Sequence, residues 1–127
     1  MEKKMIRVEI IKDGAKVKII NLTPHKITFV TSKGNLGVDP SGTIARVSAK
    51  VEETSHIYVT KFGLSVPITE TTYGEVEGLP DPVDDTIYIV SSLVAQRVPD
   101  RKDVFIPNES VRDENGRIIG CRSLGHI

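Results

Sequence analysis

Short runs rich in β-branched residues fill most of this chain, and turn-forming residues separate them at close intervals. The tripeptide Lys12-Asp13-Gly14 lies between the runs at residues 6–11 and 15–22. Asp-Gly between two such runs is a strong hairpin signal, because both residues tolerate positive φ. Glu114-Asn115-Gly116 gives the same signal near the carboxyl end. Further strands are predicted over residues 26–32, 43–52, 57–60, 64–72, 75–77, 86–90, 111–113 and 117–122.

One helix interrupts this strand pattern. Ser91 or Ser92 can cap a short helix that runs through Leu93–Arg97, and Pro99 ends it. With roughly eight to ten short strands around it, the chain is expected to be mainly β (α+β). We expect a compact antiparallel barrel or sandwich with one short helix near residues 92–98. A length of 127 residues suits a single domain spanning 1–127.

Charge and composition limit the classes of binding partner and the cellular location expected for this chain. The formal net charge is zero, which argues against binding along a long nucleic acid, because such binding needs many uncompensated cations. No segment approaches the ~18 consecutive apolar residues of a membrane span. The chain has one cysteine and shows no secretory signal, so a cytoplasmic location is expected.

Arginine is concentrated towards the carboxyl end, where five of the seven arginines occupy the last 31 residues. A guanidinium group grips phosphate or carboxylate in two places, so this region is a candidate site for a phosphorylated ligand. The interleaved aspartates leave salt bridges along a hairpin as an equally good explanation. The candidate ligand-binding residues of this region are Arg97, Arg101, Asp103, Arg112 and Asp113.

Three residues outside those charged clusters complete the candidate site. Arg46 stands in an otherwise small and apolar strand, where an exposed-face charge is the alternative explanation. Gln96 could recognise an amide or a base edge from the end of the short helix. Tyr88, or else Phe105, could stack on a base, although both residue types are also common in a protein core.

Support for catalysis is thin. Cys121 lies in an apolar strand without an activating neighbour in the sequence, and the three histidines have no metal-ligand spacing. We therefore expect a binding protein that is not an enzyme, with no catalytic residue, no metal and no cofactor. A small hydrolase or isomerase is the least favoured class.

Five segments carry a resemblance to a known family. They are NLTPH at 21–25, PSGTIARVS at 40–48, YGEVEGLP at 73–80, YIVSSLVAQ at 88–96 and VRDENGRIIGCR at 111–122. The chain resembles small phage and prophage proteins of the first Thoeris anti-defence family, over nearly its whole length from about Val17.

The resemblance implies a sponge, a protein that sequesters a cyclic ADP-ribose isomer (gcADPR-type) without degrading it and so silences Thoeris immunity. It implies homo-oligomers, dimers or higher, and a second site for cyclic oligonucleotides in some members. It also implies that Arg46, Gln96 and Arg112 contact the ligand, with Tyr88 the nearest match to a stacking aromatic residue. We expect the carboxyl-terminal hairpin, which carries several of the arginines, to lie at the interface between subunits. The alternative is a phage structural or assembly protein.

Overall fold

The computed structural model describes residues 10–127, which form ten strands and one α-helix. The mainly β fold class with one short helix is confirmed. Of the predicted strand at residues 6–11, residues 6–9 lie outside the described residues. The strands are β1 (Ile11–Lys12), β2 (Ala15–Lys16), β3 (Lys18–Asn21), β4 (Ile27–Thr31), β5 (Gly34–Val38), β6 (Arg46–Val59), β7 (Leu64–Glu77), β8 (Thr86–Ile89), β9 (Val104–Arg112) and β10 (Ile118–Gly125), and helix α1 (Ser92–Arg97) joins β8 to β9.

Both hairpins predicted from the turn residues are present. Asp13 and Gly14 adopt φ values of 53° and 82° between β1 and β2. Gly116, at φ 79°, lies in the turn between β9 and β10. These left-handed conformations are ones that glycine, and to a lesser degree aspartate, adopts at low cost. The local sequence therefore determined these two turns.

Six strands form one curled, half-barrel sheet in the order β3-β8-β9-β10-β4-β5. The pairing directions differ from the antiparallel expectation, because β3–β8, β8–β9 and β10–β4 are parallel pairs. The parallel β8–β9 pair follows from α1, which returns the chain to the same end of the sheet before β9 begins.

The core lies between α1 and the sheet. Ser91 caps the helix, since its side-chain oxygen accepts a hydrogen bond from the Val94 backbone amide at 3.4 Å. This helix has six residues, and no described helix is long and apolar enough to cross a membrane. A helix so short depends on burial of its apolar side. The buried cluster consists of Leu22, Ala45, Tyr88, Val90, Val94, Ala95 and Val104.

Asn21, at the end of β3, joins three segments of the body. Its side chain is buried, with 1% of the residue exposed. Nδ2 donates to the carbonyl oxygens of His25 (2.8 Å) and Val38 (3.1 Å), and Oδ1 accepts from the Thr23 amide (2.9 Å) and hydroxyl (2.7 Å). Every polar atom of this buried amide group is therefore bonded, which fixes the loop after β3 against the end of β5.

The largest departure from the sequence-based expectation is the hairpin of β6 and β7. The short strands predicted between residues 43 and 77 are instead two continuous strands of 14 residues each, joined by a 3₁₀ turn at Thr60–Phe62. Residues 48–75 are all exposed, and they form a two-stranded arm about 40 Å long at the usual rise per residue. The expected compactness is therefore wrong for this arm, whose Val47 and Val76 pack against the core at its base.

Candidate functional site

An open cleft of about 430 Å³ lies where the arm leaves the body. Its lining comes from Tyr73–Val76 of β7 and from Arg97 and Val98 at the end of α1. Arg97 spans the cleft edge, since Nη2 donates to the Gly74 carbonyl oxygen at 3.4 Å. The volume falls within the range typical of small-molecule sites.

A β-bulge shapes the β7 side of this cleft. The register shifts between the pairs Val47↔Val76 and Ala49↔Tyr73, so Gly74 and Glu75 lie opposite Ser48 alone. A Cβ atom at Gly74 would collide with the Ser48 side-chain oxygen, so a larger residue here would require that hydroxyl to turn away. The bulge interrupts the regular ladder beside Arg97.

Three side-chain chemistries meet in the cleft. Arg97 is an exposed cation with donors beyond the one that bonds Gly74, Tyr73 is 44% exposed, and Glu75 adds a carboxylate. Such a set suits a phosphate, a flat ring and hydroxyl groups, respectively. Gln96, the preceding helix residue, is also exposed, and its Nε2 donates to Ser92 Oγ at 3.0 Å. Of the residues predicted from the sequence, Arg97 alone lines this cleft, with Gln96 next to it in the chain.

Arg101 and Asp103 form an internal pair, which supports the salt-bridge alternative. Arg101 Nε and Nη2 each lie 2.9 Å from a different carboxylate oxygen of Asp103. Nη2 also donates to the Pro80 carbonyl oxygen at 2.9 Å, which ties the loop before β8 to the loop before β9. Because the fork of Arg101 and both carboxylate oxygens are engaged, these two side chains serve the fold in this structure.

This pair predicts a specific dependence of stability on pH. The hydrogen bond from Arg101 is the main cause that lowers the pKa of Asp103. A carboxyl group whose pKa is lowered by folding stabilises the protein above its unfolded pKa and loses that effect as pH falls through the folded pKa. Asp103→Asn should therefore lower the free energy of unfolding by about 1.5–3 kcal/mol at neutral pH. The difference in this free energy between the variant and the parent should shrink in acid. Urea unfolding across pH measures this, with exposed Asp100→Asn as the control. Equal losses at all pH values would contradict the assignment.

Arg112 and Asp113 brace the turn between β9 and β10. Arg112 Nη1 donates to the Gly116 carbonyl oxygen at 2.7 Å. Asp113 Oδ1 accepts from the backbone amides of Asn115 (2.8 Å) and Arg117 (3.0 Å). The turn therefore engages both side chains, although Arg112 is exposed and has further N–H donors.

Tyr88 and Arg46 lie away from the cleft. Tyr88 is 1% exposed within the core, so its ring presents no face to a ligand, and its predicted stacking role is wrong in this structure. Phe105 is also buried, and its ring lies 4.2 Å from that of His126. Arg46 pairs in register with Glu77, on the opposite face from the neighbouring pair Val47↔Val76 that packs on the core. The aromatic residue that lines the cleft together with Arg97 is Tyr73, which the strand pattern did not single out.

Cys121 is a buried thiol in β10. Burial is the main cause that raises its pKa, which favours the protonated and unreactive form. Within residues 10–127, no three His, Cys, Asp or Glu side chains are grouped so as to hold a metal ion.

Comparisons with known proteins do not place the chain in a family. No family model, no curated protein and no solved structure matches it.

Proposed function

We propose that this chain is a phage anti-defence sponge that binds and sequesters a cyclic ADP-ribose-type nucleotide without cleaving it, in the cytoplasm of the host. The observation that carries the proposal is the grouping of Arg97, Tyr73 and Glu75 on one open cleft. A cyclic ADP-ribose combines two phosphates, two riboses and a flat adenine, and this set holds one suitable residue for each of these three kinds of group. The resemblance of five sequence segments to the first Thoeris anti-defence family gives the ligand class.

The cleft favours binding through charge and ring contact. Arg97 can turn its free N–H groups to a phosphate, because its present bond to the Gly74 carbonyl is long, at 3.4 Å. Tyr73 offers an exposed ring for the base, and Glu75 can accept hydrogen bonds from ribose hydroxyls. The bond between Gln96 and Ser92 is exposed, so the Gln96 amide is also available for a polar edge of the ligand.

The residue types of the cleft favour storage of the ligand over its turnover. Its lining contains one carboxylate, Glu75, and no histidine, cysteine, serine or lysine. Hydrolysis of a phosphate or glycosidic bond usually relies on a positioned acid and base or on an activated nucleophile. The lining of the cleft therefore offers no pair of acid and base groups and no nucleophile, which agrees with a protein that releases its ligand intact.

The release experiment tests this function directly. The protein is mixed with a cyclic ADP-ribose isomer, separated from free nucleotide, heated to precipitate the protein, and the supernatant is analysed by chromatography. We expect the input nucleotide to be retained before heating and recovered unchanged after it. A linear or hydrolysed product would contradict sequestration, and failure to retain any isomer of a panel would contradict the ligand class.

A second candidate function, a structural or assembly protein of a phage particle, is favoured by the arm. Fully exposed hairpins of this length are suited to reaching neighbouring subunits, and residues 48–75 are exposed throughout. This candidate predicts that the protein is present in purified particles in a fixed ratio to the capsid. A sponge is expected in the infected-cell lysate and absent from purified particles, so quantitative mass spectrometry of both fractions separates the two functions.

A further inference from the structure

The outer half of the arm has one face made of branched aliphatic side chains. The register pairs Val59 with Leu64 and Ile57 with Val66, and it places Ile68 opposite Ser55. Cross-strand partners lie on the same face of a ribbon, and residues two apart along a strand share that face. These five aliphatic residues therefore form one continuous patch, here called the apolar face, and between 37% and 59% of each is exposed.

An exposed apolar patch of this kind is expected to be buried against a partner. A two-stranded hairpin by itself is at best marginally stable in water, because it buries little apolar surface. The arm has no support from the body beyond its base, since every residue from 48 to 75 is exposed. Contiguous exposed apolar surface of this type marks an interaction site. The partner must supply apolar surface of similar length and width.

Charged residues at the two ends of the apolar face indicate what that partner is. Towards the body, the apolar face gives way to Glu52 and Glu70, which lie directly opposite each other. Lys50 Nζ forms a salt bridge with Glu52 at 2.8 Å, and Glu70 is not part of that bridge. At the far end, the tip carries a single charged side chain, Lys61. The arm is therefore basic at its tip and acidic in its middle.

We propose that a second copy of this chain covers the apolar face, with the two arms packed antiparallel about a two-fold axis at the Ile57↔Val66 pair. Lys61 lies in the tip turn, two residues past the end of β6 at Val59, and Glu70 lies four strand residues from Val66 in the opposite direction, so each lies on the order of 10 Å from the Ile57↔Val66 pair. The two-fold axis therefore brings each tip over the glutamate pair of the other arm, while the apolar faces meet in the middle. This proposal does not depend on the nucleotide-binding function.

Neighbouring substitutions on opposite faces test the interface. Val66→Lys places a charge in the apolar face, whereas Ser65→Lys places the same charge on the other face, and both residues are exposed. Light scattering without nucleotide should show the wild-type chain and Ser65→Lys at twice the mass of one chain, and Val66→Lys at the mass of one chain. Thermal unfolding confirms that each variant is folded. A wild-type monomer, or a dimer that Val66→Lys leaves unchanged, would overturn the proposal.

Disulfide trapping and charge exchange test the register of the two arms. Ile57→Cys lies at the proposed axis and should give a covalent dimer under mild oxidation, whereas Tyr58→Cys on the opposite face should not. Lys61→Glu should weaken the dimer by about tenfold, because the two-fold axis repeats the contact, so the substitution removes two surface ion pairs and brings like charges together. Adding Glu70→Lys to that variant should restore it. A covalent dimer from Tyr58→Cys alone, or no rescue by the exchanged pair, would show that another surface or another register is used.

Discussion

Asn21→Asp is expected to leave the domain largely unfolded at neutral pH. The amide nitrogen of Asn21 donates to two carbonyl oxygens, those of His25 and Val38. A carboxylate in its place has no donor, so it faces two acceptors from within a site that is 1% exposed. Each buried group without a partner costs about 1–3 kcal/mol, and a buried unpaired charge costs more, against a total stability of roughly 5–15 kcal/mol.

Circular dichroism and urea unfolding measure this effect. Asn35→Asp, an exposed position in the β4–β5 hairpin, is the matched control and should change the free energy of unfolding by less than about 0.5 kcal/mol. Lower pH should partly restore Asn21→Asp, because a protonated carboxyl group regains one donor. A variant as stable as the parent would show that the loop after β3 does not depend on this side chain.

Arg97→Ala should lower the affinity for a cyclic ADP-ribose-type nucleotide by about ten- to a hundredfold. A charge-assisted hydrogen bond contributes about 1.5–3 kcal/mol, and each 1.4 kcal/mol corresponds to tenfold. The substitution should leave the fold intact, because Arg97 is exposed and its one bond to Gly74 is long. Isothermal titration calorimetry on the parent and the variant gives the difference.

Arg112→Ala is the informative comparison for this experiment. The resemblance places Arg112 at the ligand, whereas in the structure its side chain braces its own turn through Gly116. If the cleft at the base of the arm is the site, Arg97→Ala should reduce affinity far more than Arg112→Ala. A larger loss of affinity for Arg112→Ala than for Arg97→Ala would indicate that the ligand binds at the carboxyl-terminal hairpin. Arg97 would then serve only as a structural contact to β7.

Local sequence determined the elements that depend on a few neighbouring residues. The Asp13-Gly14 turn, the glycine turn at Gly116 and the serine-capped helix α1 all follow from conformational preferences that act over two to four residues. The strand-rich class followed from β-branched runs. Of the residues that line the cleft, the sequence singled out Arg97, with Gln96 next to it in the chain, because cations and amides at a helix end are visible in the pattern.

The tertiary structure alone decided how those elements combine. The predicted strands left gaps at residues 53–56 and 73–74, yet an exposed ribbon tolerates the polar residues and the glycine found there, so several short strands became one arm. Likewise, sequence could not tell that Tyr88 is buried and Tyr73 is exposed, since both stand in strands. Burial is set by which face of a strand meets another layer, and that depends on pairings between residues far apart in the chain.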